Sequence, residues 1–409
     1  MSTRFPIMAP PESTYFRKGF GLKQDVEATL SADYAGQVVD LLRARDYQLT
    51  VDGVTVLLAR EFGFCYGVER AVEYAYQTRH KFPDRRVFLV GEIIHNPHVN
   101  ARLRDMGIEI LMPTDGAFDY SVISADDVVI LPAFGVSITD FQTLREKGCV
   151  VVDTTCGSVL NVWKRVEAYA RDGFTALIHG KYYHEETRAT VSQVEKFPGG
   201  TCLVVRNMDE AHDVTEYIAG HGDRAAFVAK YGKAASAHFD PDVHLARVGV
   251  ANQTTMLARE SLAIGEVVGT AMAASKGEAY RRENFRTFDT ICSATQDRQD
   301  AVNALLREPP DVMLVVGGYN SSNTLSLAAM CAEKVRTFHV EDALCIDPAQ
   351  GTIRARDPGT GIEGETAGWL GRGPVRVGLT AGASTPNNKI GDAIARVFAT
   401  RGIDPTALR

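Results

Sequence analysis

Short apolar runs rich in β-branched residues alternate along the chain with segments in which apolar residues recur at helical spacing. The apolar runs that predict strands are 54–58, 87–90, 127–131, 150–152, 175–178, 202–205, 225–229, 248–251, 312–316, 337–340 and 375–380. Strands separated by helical stretches are typical of parallel α/β units. The pattern therefore predicts an α/β protein.

Three cysteines occupy matching positions, each where a predicted strand gives way to a predicted helix. They are Cys65 in "EFGFCYGVERA", Cys156 in "DTTCGSV" and Cys292 in "DTICSAT". Apolar residues follow Cys65 and Cys156 at the same offsets of 3, 6, 7 and 10, which mark one face of a helix. The offsets after Cys292 hold mainly polar residues, so the repeat is imperfect in its third copy.

The repeat predicts three lobes whose helices direct a thiol toward a common centre. A helix N-terminus favours a thiolate, so each cysteine stands at a suitable place for a metal ligand. We expect a three-lobed, trefoil-like arrangement with pseudo-threefold symmetry. Its parts are an N-terminal extension (1–53), lobe 1 (54–155), lobe 2 (156–290) and lobe 3 (291–409), with the strand before Cys65 a candidate member of lobe 3.

Composition excludes several classes of protein. The 409 residues carry 44 basic and 51 acidic side chains, a net charge of −7, so no basic surface for nucleic acid is predicted. No apolar run reaches the roughly 18 residues needed to span a membrane, and the N-terminal stretch lacks the apolar core of a secretory signal. We expect a cytoplasmic protein that binds neither nucleic acid nor membrane. Its seven cysteines are then free thiols or ligands rather than disulfides.

Three converging thiolates can hold Zn²⁺ with a fourth ligand, or an iron–sulfur cluster with one iron free of protein ligands. The close Cys pairs typical of structural zinc sites are missing around Cys65, Cys156 and Cys292, which favours the cluster. The alternative is three unrelated buried thiols. We expect the remaining cysteines to be ordinary buried thiols without a metal, namely Cys149, Cys202, Cys331 and Cys345.

Polar residues follow several predicted strands, at the edge where open α/β sheets bind ligands. These residues are His95, Asn96, His179, His184, Glu185, Glu186, Thr254, Thr255, Asn320, Ser321, Ser322, Asn323 and Ser384. A Ser-Ser-Asn sequence at a helix start is either a cap or an anion site. Neutral donors with two histidines would suit a diphosphate, and the absence of a P-loop motif argues against nucleotide hydrolysis.

With these residues assembled, the chain resembles the LytB/IspH family of 4-hydroxy-3-methylbut-2-enyl diphosphate reductases over residues 54–400. The motifs that carry the resemblance, in the family's order, are "FGFCYGVERA", "EIIHNPHV", "DTTCGSV", "HEET", "NQTT", "DTICSATQDRQDAV", "NSSNT" and "TAGAST". The N-terminal "RKGFG" and "HEET" are similar to the plant and cyanobacterial branch. Within that resemblance, the short N-terminal extension favours a bacterial cytoplasm over an uncleaved plastid precursor.

The resemblance implies one [4Fe–4S] cluster held by Cys65, Cys156 and Cys292, with one iron not ligated by protein. It implies reductive dehydroxylation of 4-hydroxy-3-methylbut-2-enyl diphosphate to isopentenyl and dimethylallyl diphosphate. This is the last step of the non-mevalonate (methylerythritol phosphate) isoprenoid pathway. An electron donor protein, ferredoxin or flavodoxin, would be the partner.

The resemblance also implies roles for single residues. Glu186 would be the proton source, with Thr254 orienting it and the substrate hydroxyl. The residues that would bind the substrate are His95, His184, Thr254, Thr255, Asn320, Ser321, Ser322, Asn323 and Ser384. Phe134 stands where many family members have a histidine, so that histidine cannot be transferred to this chain.

Two other functions remain open from the residues alone. A [4Fe–4S]-dependent hydro-lyase acting on a phosphorylated small molecule also needs three thiolates and an open iron, but it consumes no electrons. An iron–sulfur sensor would need a module for nucleic acid or a partner, and the sequence offers no such motif.

Overall fold

The computed structural model describes residues 14–404. Its strands, in chain order, are β1 (Tyr15–Phe16), β2 (Gln48–Val51), β3 (Val54–Leu58), β4 (Val87–Val90), β5 (Ile108–Leu111), β6 (Val128–Leu131), β7 (Val150–Asp153), β8 (Thr175–His179), β9 (Cys202–Val205), β10 (Val248–Asn252), β11 (Phe285–Thr287), β12 (Val312–Val316), β13 (Thr337–Val340), β14 (Ile346–Asp347), β15 (Thr352–Arg356), β16 (Glu363–Ala367) and β17 (Val375–Ala381).

The α-helices are α1 (Lys23–Tyr34), α2 (Gln37–Ala44), α3 (Tyr66–Lys81), α4 (Pro97–Asp105), α5 (Ile138–Glu146), α6 (Gly157–Arg171), α7 (Glu185–Val194), α8 (Met208–Ile218), α9 (Arg224–Tyr231), α10 (Pro241–His244), α11 (Ala258–Lys276), α12 (Glu278–Asn284), α13 (Ser293–Leu305), α14 (Ser322–Ala332) and α15 (Asn387–Ala399). A short 3₁₀ helix spans Ala343–Cys345. Within residues 14–404, no helix combines the length and the apolar character needed to cross a membrane.

The strands form three separate sheets. The first has the order β1-β7-β6-β4-β5 and the second the order β11-β10-β8-β9, and all neighbours in both are parallel. The third sheet has the order β14-β15-β13-β12-β17-β3-β2, with β16 paired to β15, and it is antiparallel only toward its two edges. Helices cover these sheets, so the predicted three-lobed α/β fold is confirmed.

Each of the three cysteines lies where the chain leaves one sheet and begins a helix that packs on the next. β3 belongs to the third sheet, whereas α3, which follows Cys65, packs in the core of the first. β7 belongs to the first sheet, whereas α6, after Cys156, packs in the core of the second. β11 belongs to the second sheet, whereas α13, after Cys292, packs beside β12 of the third. This cyclic path places all three cysteines at the boundaries between lobes.

Residues 14–53 join two lobes. β1 extends the edge of the first sheet by pairing with β7, and the Tyr15 hydroxyl donates to the Asp153 carboxylate at 2.6 Å. The apolar side of α2, through Val39 and Leu42, is buried in the core of the third lobe, where β2 also pairs with β3. The segment is therefore built into the body of the protein.

One predicted strand is wrong. The run "AAFVA" at 225–229 forms part of the helix α9. Asp223 caps this helix by accepting a hydrogen bond from the backbone of Ala226, and Phe227 and Tyr231 are buried four residues apart. A cap and an apolar spacing of one helical turn outweigh the β-branched content of so short a run.

The third helix repeats the burial pattern of the first two, although not its chemistry. Thr295, Arg298, Gln299 and Val302, at the same four offsets after Cys292, are all buried. The Arg298 guanidinium donates to the backbone carbonyl of Gly63 at 2.7 Å, which links α13 to the loop before Cys65. The helix face therefore serves the same structural purpose with hydrogen bonds in place of apolar contacts.

Candidate active site

The three cysteines occupy equivalent local positions. Cys65 is the N-cap of α3, Cys156 of α6 and Cys292 of α13, each with an extended backbone. Their backbone amides are anchored just beyond the neighbouring strand of the same sheet, because Cys65 donates to Ala383, Cys156 to Ala133 and Cys292 to Thr254. Anchored junctions of this kind hold the three side chains in fixed relative positions.

The sulfur atoms of Cys65 and Cys156 lie close together beside Gly67. A Cβ built on Gly67 would stand 2.5 Å from the Cys156 Sγ and 3.9 Å from the Cys65 Sγ. Among the described residues, the three sulfurs do not all fall within 4.8 Å of one another. Sulfurs bound to one tetrahedral zinc would be only about 3.8 Å apart, given Zn–S bonds of about 2.3 Å. The wider spacing suits a larger inorganic group.

Burial outweighs the helix N-termini in setting the protonation of two of these thiols. It raises the pKa of Cys65, and it raises the pKa of Cys292 to about 11, although Thr295 hydrogen bonds oppose the latter shift. The thiols are therefore protonated at neutral pH until a metal displaces the proton, contrary to the thiolate expected from the helix N-termini alone.

Glu186 and Thr254 form a buried pair. The Glu186 side chain, at the start of α7, is 1% exposed. One carboxylate oxygen accepts the Thr254 backbone N–H at 2.6 Å, and the other faces the Thr254 hydroxyl at 3.0 Å. Burial raises the pKa of Glu186 to about 7, and the bonds from Thr254 partly oppose that shift. A carboxyl group of this kind holds a proton near neutral pH and can release it.

Glu185 is exposed, unlike the buried Glu186, but its carboxylate still lies beside the histidines. Its side chain is 54% exposed, and its carboxylate lies 3.7 Å from His95 Nε2. His95, His184 and Glu185 place one potential ligand atom each within 4.8 Å of the others, so a metal could also be held there.

His95 and His184 meet through their ring nitrogens. The two Nε2 atoms are 3.3 Å apart, and His95 Nδ1 lies 3.0 Å from the Glu92 carboxylate. The backbone N–H of Glu186 donates to His184 Nδ1, so the neutral His184 ring carries its proton on Nε2. Burial lowers the pKa of His184 to about 3, which keeps this ring a neutral donor.

The residues that follow β12 form the start of α14. Ser321 caps the helix, and its hydroxyl accepts the Thr324 backbone N–H at 3.4 Å. Asn323 is buried and accepts the Ala383 backbone N–H at 2.9 Å, and Ser384 donates to the His95 carbonyl at 3.1 Å. The structure therefore brings the predicted serines and asparagine next to His95, around a helix N-terminus that favours anions.

Asn320 and Thr255 lie at the margin of this group. Asn320 is exposed and lines a cavity of about 510 Å³ together with His95, His184 and Phe134. Thr255 is half-buried, and its hydroxyl accepts from the Gln253 amide at 2.9 Å.

Two residues beside this group were not assigned a role from the sequence. Gln253 bonds the Thr187 hydroxyl, the Lys181 backbone and the Ser322 hydroxyl, and the Lys181 amine lies 3.3 Å from the same Ser322 hydroxyl. Gln253 lies within "NQTT" and Lys181 lies three residues before "HEET", and their position after a strand end was the available signal.

The other cysteines are separate from this site. Cys149, Cys202, Cys331 and Cys345 are buried, and each packs within a hydrophobic core. Their thiols have no common centre with Cys65, Cys156 and Cys292 in the part of the chain that the structure describes.

Comparison with known sequences identifies relatives over nearly the whole chain. Residues 56–398 match the LytB protein family. A protein of Gloeobacter violaceus named 4-hydroxy-3-methylbut-2-enyl diphosphate reductase is 48% identical over 394 residues, covering 95% of this chain and 93% of the relative. A protein of Thermosynechococcus vestitus with the same name is 45% identical over 405 residues, covering 98% of this chain and 99% of the relative.

Solved structures agree with these sequence relatives. One is described as (E)-4-hydroxy-3-methyl-but-2-enyl diphosphate reductase, the terminal enzyme of the non-mevalonate pathway. It is 28% identical with a TM-score of 0.51, covering 84% of this chain and 98% of its own. The E-1-hydroxy-2-methyl-but-2-enyl-4-diphosphate reductase of Plasmodium falciparum is 20% identical with a TM-score of 0.61, covering 84% and 87%, and supports the fold alone.

Proposed function

The chain belongs to the LytB protein family, and on that premise we propose how its residues carry the activity of a 4-hydroxy-3-methylbut-2-enyl diphosphate reductase. The enzyme is an oxidoreductase, the terminal enzyme of the non-mevalonate pathway. The reaction removes the C4 hydroxyl of the substrate. Two electrons and two protons convert the allylic alcohol diphosphate into isopentenyl or dimethylallyl diphosphate and one water.

Cys65, Cys156 and Cys292 would hold a [4Fe–4S] cluster. The donor set fits the group, because the Cys65 and Cys156 sulfurs lie together beside Gly67, and the charge of Cys65 acts on Cys292. When bound, such a cluster supplies electrons one at a time and a Lewis-acidic iron without a protein ligand. The electrons would come from a small donor protein, a ferredoxin or a flavodoxin.

Glu186 would provide the proton that lets the C4 oxygen leave as water. Its burial holds the pKa near 7, so a large fraction of the carboxyl groups is protonated at neutral pH. Thr254 fixes both carboxylate oxygens through its amide and hydroxyl, which orients the group. The Thr254 backbone carbonyl also accepts the Cys292 amide, so the proton donor and one cysteine are held by the same residue.

The start of α14 and the two histidines would bind the diphosphate. Ser321, Ser322 and Asn323 offer hydroxyl and amide donors at a helix N-terminus. Ser384 and Asn320 flank them, and the Gln253 amide links the Thr255 hydroxyl to that of Ser322. His95 and His184 would direct their adjacent Nε2 atoms toward the anion, and the His184 ring does so without carrying a charge.

The single observation that carries the proposal is the position of the three cysteines. Each caps a helix at a crossing between lobes, and no other cysteine in residues 14–404 does so. The path of the chain from lobe to lobe thus brings the three cysteines to the junction of the lobes, where an iron–sulfur centre would lie.

The test is anaerobic purification, analysis of iron and sulfide, and an assay with a strong one-electron donor. We expect about four iron and four sulfide per chain and conversion of the substrate to the two isoprenoid diphosphates only when reductant is present. Cys156→Ser should lose the iron and the visible absorption, whereas Cys202→Ser, a buried cysteine in a lobe core, should keep both. Turnover that is independent of reductant would identify a hydro-lyase instead, and zinc in place of iron would refute the cluster.

A further inference from the structure

The amine of Lys181 lies at the end of the site where the diphosphate is proposed to bind. Lys181 follows β8 in the loop before α7, and its Nζ is 3.3 Å from the Ser322 hydroxyl. Its backbone N–H donates to Gln253, whose amide also contacts that hydroxyl at 3.3 Å. The lysine is thus held from both ends against the start of α14.

The Lys181 amine has no carboxylate partner within 4.0 Å among the described residues, although it is only partly exposed. The acidic groups that line the same cavity are bound elsewhere. Glu92 and Glu185 lie beside the imidazoles, Asp140 accepts from Tyr120, and Asp357 accepts from its own turn. An ammonium group in this position remains available to an anion.

A second cation lies across the same cavity. Arg356, at the end of β15, is held by the Tyr319 carbonyl at 3.1 Å and the Gly361 carbonyl at 2.8 Å. Its guanidinium also lies over the Tyr319 ring, 5.4 Å from the centroid. Burial lowers the pKa of Lys181, and the charge of Arg356 lowers it further. The two cations therefore repel each other across the cavity. An anion between them would relieve this repulsion.

We propose that Lys181 is a substrate-binding residue that contacts the terminal phosphate of the diphosphate, with Arg356 adding positive charge to that end of the cavity. This inference rests on the proposed function, because it takes Ser322 as a diphosphate ligand. A terminal phosphate carries about −1.5 to −2 charge at pH 7. Hydroxyls, amides and a neutral imidazole donate hydrogen bonds to the phosphate without neutralising its charge. An ammonium group donates hydrogen bonds and also neutralises part of the charge.

Phe134 lines the same cavity as Lys181, and a phenyl ring neither donates to phosphate nor carries charge. Lys181 supplies a donor from another element of the same cavity. The pocket therefore contains a cation where the sequence motifs alone indicated only neutral donors and histidines.

The experiment compares ligand binding by the holoenzyme and its variants with anaerobic calorimetry. Isopentenyl diphosphate is the probe, and isopentenyl monophosphate is the matched ligand without the terminal phosphate. We expect Lys181→Gln to weaken diphosphate binding about 10- to 100-fold, the effect of losing one charge-assisted hydrogen bond. Monophosphate binding should change less than about 2-fold. Lys181→Arg should recover most of the affinity, because it keeps the positive charge.

Lys334→Gln is the control variant, since this exposed lysine lies just beyond the far end of α14. In steady-state assays, Lys181→Gln should raise KM with little change in kcat, because the contact precedes the chemical step. Circular dichroism confirms that each variant is folded. Unchanged diphosphate binding in Lys181→Gln, or equal losses for both ligands, would overturn the role of Lys181 alone. A wild-type protein that neither binds nor reduces its substrate would overturn the proposed function as well.

Discussion

The phenyl ring of Phe134 stacks on the imidazole of His95, with ring centroids 4.3 Å apart and 18° between the ring planes. The same ring meets His184 edge-on at 5.9 Å. Phe134 therefore holds both histidines at the wall of the cavity. Phe134 thus has a packing role, although its ring offers no hydrogen bond.

The first prediction concerns this contact. Phe134→His keeps a flat ring and should retain most activity, whereas Phe134→Ala removes the stacking that positions His95. Aromatic pairs contribute about 0.5–1.5 kcal/mol beyond burial, so we expect Phe134→Ala to raise KM by roughly 2- to 12-fold, the same energy expressed as affinity. Steady-state kinetics with full cluster content measure this. Loss of all activity in Phe134→His with the cluster intact would show that the phenyl ring has a packing or gating role that an imidazole ring cannot fulfil.

The second prediction concerns the proton donor. If Glu186 must be protonated to act, kcat should fall as pH rises through about 7, the pKa that burial gives this carboxyl group. Glu186→Gln keeps the size of the side chain but has no acidic proton, so turnover should fall roughly 10²–10⁴-fold while diphosphate binding survives. The pH dependence should disappear in the variant.

Glu195→Gln is the matched control, because Glu195 is an exposed residue directly after α7. Glu185 is a poorer control, since its carboxylate lies near the imidazoles. Near-normal turnover in Glu186→Gln would mean that another group supplies the proton.

The third prediction follows from the same pKa through folding stability. Because the folded-state pKa of Glu186 lies above the usual carboxyl value of 4.5, the folded protein binds this proton more tightly than the unfolded chain does. Its contribution is fully present below pH 4.5 and is lost as pH rises through about 7. The whole effect is on the order of 3 kcal/mol. Between about pH 4 and 8, a range that includes both pKa values, urea denaturation should show a smaller fall in stability for Glu186→Gln than for the wild type.

The fourth prediction concerns Gly67. A Cβ there would lie 2.5 Å from the Cys156 sulfur, too close for a real contact. Gly67→Ala should therefore displace Cys156 and lower the iron content of the purified protein by about half or more, while Gly157→Ala, with no atom within 4 Å of its Cβ, should not. Iron and sulfide analysis decides between them. Full iron content in Gly67→Ala would show that the Cys156 loop can shift without loss of the ligand.

The fifth prediction concerns the polar face of α13. Arg298 is buried and joins Ala294 and Gly63 through its guanidinium. The glutamine of Arg298→Gln cannot reach both carbonyls. The free energy of unfolding should therefore fall by about 1.5–3 kcal/mol, the range for hydrogen bonds to charged groups. Arg307→Gln, an exposed position just after the same helix, should change stability by less than about 0.5 kcal/mol. Chemical denaturation of both variants measures the difference.

Much of this protein follows from local sequence. The structure confirms strands such as 87–90 and 312–316 and the helices after Cys65 and Cys156. These elements were predictable because apolar spacing and capping act over a few residues. The three cysteines at helix starts were predicted for the same reason. The run at 225–229 failed because five apolar residues fit a strand or a helical turn equally well.

The tertiary structure decided which elements meet. The sequence predicted a strand-to-helix junction at each cysteine, although β11 itself, before Cys292, was not among the predicted strands. It did not show that the strand lies in one lobe and the following helix in the next. It placed His95, Phe134 and Lys181 in separate segments, and only folding brings the phenyl ring onto the imidazole and the amine onto Ser322. Secondary structure depends on neighbours along the chain, whereas these contacts depend on how three sheets pack, which no local pattern encodes.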